Sequence, residues 1–241
     1  FTFFWQKTRL FNGQASVVNG RFSLQFVVPI DVSYEDGLGK ISLYADNGIH
    51  DAAGDNQQIY VGGAGTNSLT DNQDPELDLY MNDLTFVDGG MVDPNPLLIA
   101  QVFDENGINT AGVGIGHELT GILDYRDEDI LILNDYYSAE KNSYQRGEIR
   151  FPFKDLAPGD HTLEVKVWDV ANNSKKGKID FLVADDAEMA LGHVLNYPNP
   201  FSTHTQFMIE HNLNGRFLTV RVKIFTVSGH QVKSLEDSFL A

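Results

Sequence analysis

The 241-residue sequence predicts an all-β protein built of tandem immunoglobulin-like β-sandwich modules. Hydrophobic residues make up 42% of the chain, and many of them are the branched and aromatic types that favour strands. The 22 glycines, together with many Asn and Asp residues, supply turns between short segments. Those segments alternate apolar and polar residues and follow one another at the spacing of a sandwich domain.

A first module is expected over residues 1–75, incomplete at its start. A hairpin is predicted over residues 14–28, because Asn19 and Gly20 can adopt the positive φ angles of a tight turn. Two further strands of this module are predicted from their alternation and from the polar loop between them, over residues 40–45 and 57–61.

A second module, an immunoglobulin-like sandwich, is predicted over residues 76–184. Its strands are expected near residues 77–81, 97–103, 118–123, 130–133, 161–169 and 179–183. Small and acidic residues over 62–75 predict a flexible crossing before this module, and the acidic stretch 185–190 predicts a linker after it. Residues 191–241 read as the opening strands of a third, truncated module.

The charge balance excludes several functions. The chain has 17 basic and 34 acidic side chains, and the net charge of −17 repels nucleic acid and anionic lipid surfaces.

The chain has no cysteine, so disulfides, thiolate metal sites and a cysteine nucleophile are excluded within it. No apolar run approaches the roughly 20 residues of a transmembrane helix, and residues 1–7 do not read as a signal peptide. The chain starts on an aromatic, strand-like run and stops at residues 238–241, so we expect a fragment of a larger protein.

Acidic side chains form the best candidate sites, and calcium is the one cofactor that they suggest. Carboxylate and amide oxygens are the ligands that calcium prefers, although neither group below has the spacing of an EF-hand loop. The candidates are Asp46, Asp51 and Asp55 in one loop after a strand, and Asp71, Asp74 and Asp78 at the junction of the first two modules. The alternative interpretation is solvated surface acid without a metal.

No catalytic residues are expected. The run from His117 to Gly121 begins like a zinc-protease helix but lacks the second histidine, and no Gly-x-Ser-x-Gly sequence occurs. A set of aromatic residues offers a possible sugar platform, with core packing as the alternative: Tyr136, Tyr137, Tyr144 and Trp168.

A short proline-containing motif lies near the start of the third module. Its residues are Leu195, Asn196, Tyr197, Pro198, Asn199, Pro200 and Phe201. The prolines remove backbone donors, so the motif is not expected within an internal strand or a helix. With the segments 220–225 and 227–232 that follow, it resembles the C-terminal sorting domain of the type IX secretion system of Bacteroidetes. This resemblance implies export to the outer membrane, then surface attachment or release. The family's last strand is absent here.

Three upstream segments, residues 13–29, 39–45 and 106–117, resemble the region that follows the peptidase domain in PorU-type, gingipain-related cysteine peptidases. In that family the protein is a sortase, which cleaves sorting domains from cargo and joins the cargo to lipopolysaccharide. The catalytic Cys and His lie in an upstream caspase-like domain, and no position here matches them. The resemblance implies a non-catalytic region whose partners are its own peptidase domain and the secretion components.

Two functional hypotheses follow. The first is a β-sandwich region that supports a surface peptidase and carries its sorting signal. The second is an adhesin or a carbohydrate-binding tandem exported by the same system. A hydrolase within these residues is a distant third, because no convincing nucleophile is present.

Overall fold

The computed structural model confirms the all-β class. It describes residues 9–30, 32, 37–63, 70–111, 116–184, 191–211 and 217–240. In chain order its strands are β1 (Gly37–Asp46), β2 (Asp51–Val61), β3 (Glu76–Met81), β4 (Met91–Val92), β5 (Leu97–Phe103), β6 (Thr120–Leu123), β7 (Leu131–Ile132), β8 (Tyr137–Ala139), β9 (Arg146–Pro152), β10 (Gly159–Trp168), β11 (Ser174–Val183), β12 (Leu191–Tyr197), β13 (Gln206–His211), β14 (Phe217–Phe225) and β15 (Gln231–Leu240). A single turn of 3-10 helix, Asn134–Tyr136, precedes β8.

A sandwich of two sheets forms the buried part of the described chain. One sheet has the order β3-β5-β9-β8 and the other β4-β11-β10-β6-β7. The sheets pack face to face, since a Cβ built on Gly177 of β11 would lie 3.0 Å from Leu77 of β3. The largest fully buried side chains come from both sheets and the loops between their strands; they include Met81, Leu98, Leu119, Leu133, Ile149, Leu163, Val165, Val167 and Phe181.

Strand β10 shows why the sequence folds in this way. From Leu163 onward, buried residues alternate with half-buried ones, and the buried residues Leu163, Val165 and Val167 have no exposed surface. Period-two alternation places these three side chains on one face of the sheet, where burial of each contributes about 1.5–3 kcal/mol. The strand ends at Trp168, and Asp169 then accepts hydrogen bonds from the turn that leads into β11.

Three further sheets have two strands each: β1-β2, β12-β13 and β14-β15. In the last of these, Arg221 faces Glu236 across the ladder and forms an ion pair with it at 2.7 Å. The neighbouring pair, Val222 and Leu235, points to the opposite face. The second face of the β14-β15 hairpin is mainly apolar, although it also includes Asp237 and Lys233, and the first is mainly polar.

The expected hairpin over residues 14–28 is only partly correct. Asn19 and Gly20 have positive φ angles of 51° and 73°, and Val18 and Arg21 exchange two backbone hydrogen bonds around them. No strand extends from this bridge among the described residues. The physical reason is competition, because the backbone carbonyl of Gln14 accepts a hydrogen bond from a distant turn instead of from a hairpin partner.

The described residues fall into two compact units. One contains residues up to Leu84, with Leu97–Phe151 and Thr162–Ile179; the other contains Thr85–Pro96, Pro152–His161 and residues from Asp180 onward. The module boundaries drawn from the sequence remain predictions. The expected linker 185–190 and part of the expected crossing, residues 64–69, lie outside the described residues. Within the described ranges, no helix is long and apolar enough to span a bilayer.

Candidate metal centre and proline motif

Three aspartates from distant parts of the sequence meet at one end of the sandwich. Asp71 precedes β3, Asp104 directly follows β5, and Asp169 directly follows β10. One carboxylate oxygen from each lies within 4.8 Å of the others. The end of a strand is where the chain leaves the sheet, so turn-forming aspartates accumulate there.

The side chain of Asp104 organises the loop after β5. One of its carboxylate oxygens accepts hydrogen bonds from the backbone N–H groups of Asn106 at 2.7 Å and Gly107 at 2.9 Å. Gly107 has a φ of 108°, a conformation that a side chain would strain. The sequence Asp-Glu-Asn-Gly thus folds into a tight turn that holds the carboxylate in place.

Asp169 organises the turn after β10 in a similar way. One carboxylate oxygen accepts hydrogen bonds from the backbone N–H groups of Ala171 at 2.9 Å and Asn173 at 2.7 Å. The other oxygen accepts a bond of 2.7 Å from the side-chain amide of Asn173. Both oxygens of Asp169 are therefore oriented by a single short turn.

Asp71 joins the two turns. Its carboxylate accepts a hydrogen bond of 2.7 Å from the side-chain amide of Asn106 and one of 3.0 Å from the backbone of Gln73. The backbone carbonyl of Asp71 accepts a bond of 3.3 Å from Asn173. The segment before β3 is thereby tied to the loops after β5 and β10.

Burial makes this cluster electrostatically unfavourable as it stands. Asp169 is 0% exposed and Asp104 5% exposed. Desolvation raises the pKa of Asp104, with repulsion from Asp169 and Asp71 adding to it, and desolvation also raises the pKa of Asp169, with repulsion from Asp71. A hard divalent cation bound by these oxygens would offset both effects, so these residues are the ones that could hold calcium. Calcium binding itself remains a prediction.

The sequence named Asp71 but not the other two members of the cluster. A sequence feature that could have identified Asp104 and Asp169 is their position immediately after an apolar strand, with an Asn within the next four residues. Spacing along the chain cannot show that two such turns meet in space. Which turns lie close together is determined by the topology of the two sheets.

The other predicted metal ligands lie elsewhere. Asp46 ends β1 and faces Asp51, which begins β2. Asp55 was expected in the loop between these strands but lies within β2, opposite Ser42. The loop is shorter than expected because β2 extends through the polar run after Asp51.

Asp74 and Asp78 complete the predicted set. Asp74 is exposed in the segment before β3. Asp78 lies within β3 opposite Gln101, on the wall of an open cleft over the four-stranded sheet. Among the described residues, the group of Asp71, Asp104 and Asp169 is the one trio of acidic or histidine side chains that lies close enough together for a shared ion.

The aromatic residues do not form one platform. Tyr137 is buried in β8, not placed in a loop, and burial raises the pKa of its hydroxyl. Tyr136 packs edge-on against Phe151, with ring centroids 4.7 Å apart. Trp168 contacts the ring of His117, with ring centroids 4.3 Å apart, and the Lys166 ammonium lies 3.9 Å from the centre of the Trp168 ring. These contacts favour the packing interpretation for Tyr136, Tyr137 and Trp168.

The proline motif forms an exposed turn after β12. Its first three residues end that strand, whose two-stranded sheet has no interior position, and the two prolines lie beyond it. The hydroxyl of Thr205 bonds to the Pro198 carbonyl at 3.0 Å and accepts a bond from Asn196 at 3.3 Å. The aromatic side chains point outward, with Tyr197 71% exposed and Phe201 52% exposed.

Comparison with known proteins gives a similarity to a solved structure. No protein-family model matches the chain, and no curated protein matches it. Among solved structures, the chain is similar to dimeric latent PorU from Porphyromonas gingivalis. The two sequences are 37% identical over 91% of this chain, which spans 21% of the PorU chain, and the TM-score is 0.48.

Proposed function

We propose that this chain is a non-catalytic β-sandwich region of a PorU-type, gingipain-like surface peptidase of the type IX secretion system. In this role the sandwich supports a peptidase domain upstream, and the proline motif serves as part of the sorting signal. The observation that carries the proposal is the 37% sequence identity to PorU over 91% of the chain. The parent protein would be exported and held at the outer membrane surface.

The exposed proline motif gives further support for the signal part of the proposal. A signal that is read on a folded protein has to be accessible, and both aromatic side chains of the motif, Tyr197 and Phe201, are exposed. The mainly apolar face of the β14-β15 hairpin adds a surface of the kind that marks interaction sites. A signal of this form would be read by contact with a secretion component.

The decisive experiment uses the parent protein. Deleting residues 191–241 is expected to leave the parent in the periplasm, where fractionation and surface labelling detect it. The matched control deletes residues 37–63, the β1-β2 hairpin, which carries no part of the motif. Surface display of the parent lacking residues 191–241 would refute the signal role.

A second experiment tests the non-catalytic role. The purified 241-residue chain is expected to hydrolyse no peptide substrate, while the parent does so through groups upstream of residue 1. Peptidase activity in the purified chain would overturn this part of the proposal. Selective glycan binding on an array, with no peptidase domain encoded upstream, would favour the adhesin hypothesis instead.

A further inference from the structure

The outer edge of β8 is covered by a segment from the beginning of the chain. β8 is the last strand of its sheet, and β9 pairs with only one side of it. On the other side, the Ala139 N–H donates to the Asn12 carbonyl at 3.0 Å, and the Tyr137 carbonyl accepts from the Asn12 side chain at 3.2 Å. An uncovered edge presents such groups to any passing strand.

Asn142, in the turn between β8 and β9, holds the other end of this segment. Its backbone N–H donates to the Gln14 carbonyl at 2.8 Å. Its side-chain oxygen accepts from the Ser16 N–H at 2.7 Å, and its side-chain nitrogen donates to the Ser16 hydroxyl at 2.9 Å. With a φ of 63°, Asn142 is in the left-handed conformation that asparagine tolerates better than most residues.

The direction of the segment follows from the order of these contacts. Asn12 meets residues 137 and 139, and residues 14 and 16 meet residue 142, so both chains advance together. The segment therefore runs parallel to β8 and uses main-chain groups in the manner of an added strand. Arg9, which precedes it, forms an ion pair of 3.2 Å with Asp135 beside β8.

We propose that the β8 edge is a strand-acceptor site, that residues 12–16 occupy it as a strap, and that Asn142 is the latch of this strap. The strap prevents the edge of the four-stranded sheet from pairing with other chains. The ligand of the site is an extended peptide with the sequence of the strap. This inference is independent of the proposed function, since it concerns only contacts within the first compact unit.

The latch is tested in the full chain with Asn142→Gly. Glycine keeps the left-handed backbone and the N–H group, and it removes only the two side-chain bonds to Ser16. Hydrogen exchange at the amides of Ser16 and Ala139 is expected to become about tenfold faster, the effect of losing two exposed hydrogen bonds. The matched control is Asn19→Gly, which makes the same change at another exposed left-handed position.

Equal exchange rates in the two variants would overturn the latch. The acceptor site is tested separately with a fluorescent peptide of residues 9–18, added to the wild-type chain and to the double variant Asn12→Ala, Ser16→Pro, which removes bonds from the strap and leaves Asn142 and the β8 edge unchanged. Binding is expected for the double variant and not for the wild-type chain, whose own strap competes at high effective concentration. Absence of binding to a folded double variant would overturn the acceptor site, whatever the exchange rates show.

Discussion

The side-chain amide of Asn106 donates a hydrogen bond of 2.7 Å to the carboxylate of Asp71, 35 residues earlier in the chain. This bond fixes an acidic group beside two others that are almost without contact with solvent. Amide donors lower the cost of placing carboxylates together but supply no positive charge. We therefore expect the stability of the cluster to depend on pH and on cations more than that of an ordinary turn does.

Stability is expected to depend on pH through Asp104. Its folded pKa is raised above the unfolded value of 3.8 by burial, so its favourable contribution is complete below about pH 3.8 and is lost as pH rises through the folded pKa. With a chelator present, Asp104→Asn should therefore increase the free energy of unfolding at neutral pH and change it little near pH 3. The amide oxygen can still accept the bonds from Asn106 and Gly107.

Urea unfolding from pH 3 to pH 8 measures this effect. The control is Asp74→Asn, which changes an exposed carboxylate just before β3. Its profile should follow that of the wild type. If Asp104→Asn is less stable than the wild type at every pH, the charged carboxylate stabilises its turn by more than its burial costs, and the prediction is wrong.

Calcium is expected to stabilise the folded chain through the same cluster. A ligand that binds only the folded state at 100 times its Kd stabilises it by about 2.7 kcal/mol, and calcium sites of extracellular modules bind near 10⁻⁴–10⁻³ M. We expect the melting temperature to rise in several millimolar calcium relative to chelator. Asp71→Asn should remove most of this rise, because it removes one of the three carboxylates of the cluster. Asp71 is also the most accessible of the three aspartates.

The control for calcium is the pair Asp46→Asn and Asp51→Asn, at the facing ends of β1 and β2. These changes should leave the calcium-dependent rise intact. A melting temperature that is identical with calcium and with chelator, together with no heat in a calorimetric titration, would remove the metal hypothesis. A rise that disappears in the control variants instead would move the site to the β1-β2 hairpin.

Strand positions were predictable where the local pattern was strong. β5 was predicted at its observed bounds, because an apolar run lies between Pro96 and the turn-forming Asp104. β9 was missed, since the sequence Arg-Gly-Glu-Ile-Arg-Phe-Pro carries charges on its outer face and few apolar residues. The segment after Arg21 shows the reverse case, with good alternation but no strand beyond the bridge. Alternation gives a strand its faces, but a neighbouring strand must supply its hydrogen bonds.

Gly147 in β9 is expected to tolerate no side chain. A Cβ at this position would clash with the hydroxyl oxygen of Tyr137 and lie 2.6 Å from the backbone oxygen of Ser138. The buried tyrosine cannot move without disturbing the core, so Gly147→Ala should cost about 1–3 kcal/mol in the free energy of unfolding. Chemical denaturation followed by tryptophan fluorescence measures this loss.

The matched control for this substitution is Gly54→Ala in β2. A Cβ there meets nothing within 4 Å, and the smaller backbone entropy of alanine should leave stability unchanged or raise it by up to about 1 kcal/mol. If both substitutions are neutral, β8 and β9 do not pack as closely as the structure places them.

A substitution in the proline motif is expected to affect surface display without affecting stability. Tyr197 is 71% exposed, so Tyr197→Ala in the parent should change the free energy of unfolding by no more than about 0.5 kcal/mol. The same variant is expected to lose most surface display, measured by labelling of intact cells, because the export machinery would contact this side chain directly. Tyr60→Ala removes another tyrosine, 77% exposed on β2, and should affect neither property. Normal display of a stable Tyr197→Ala parent would show that the aromatic ring is not read as part of the signal.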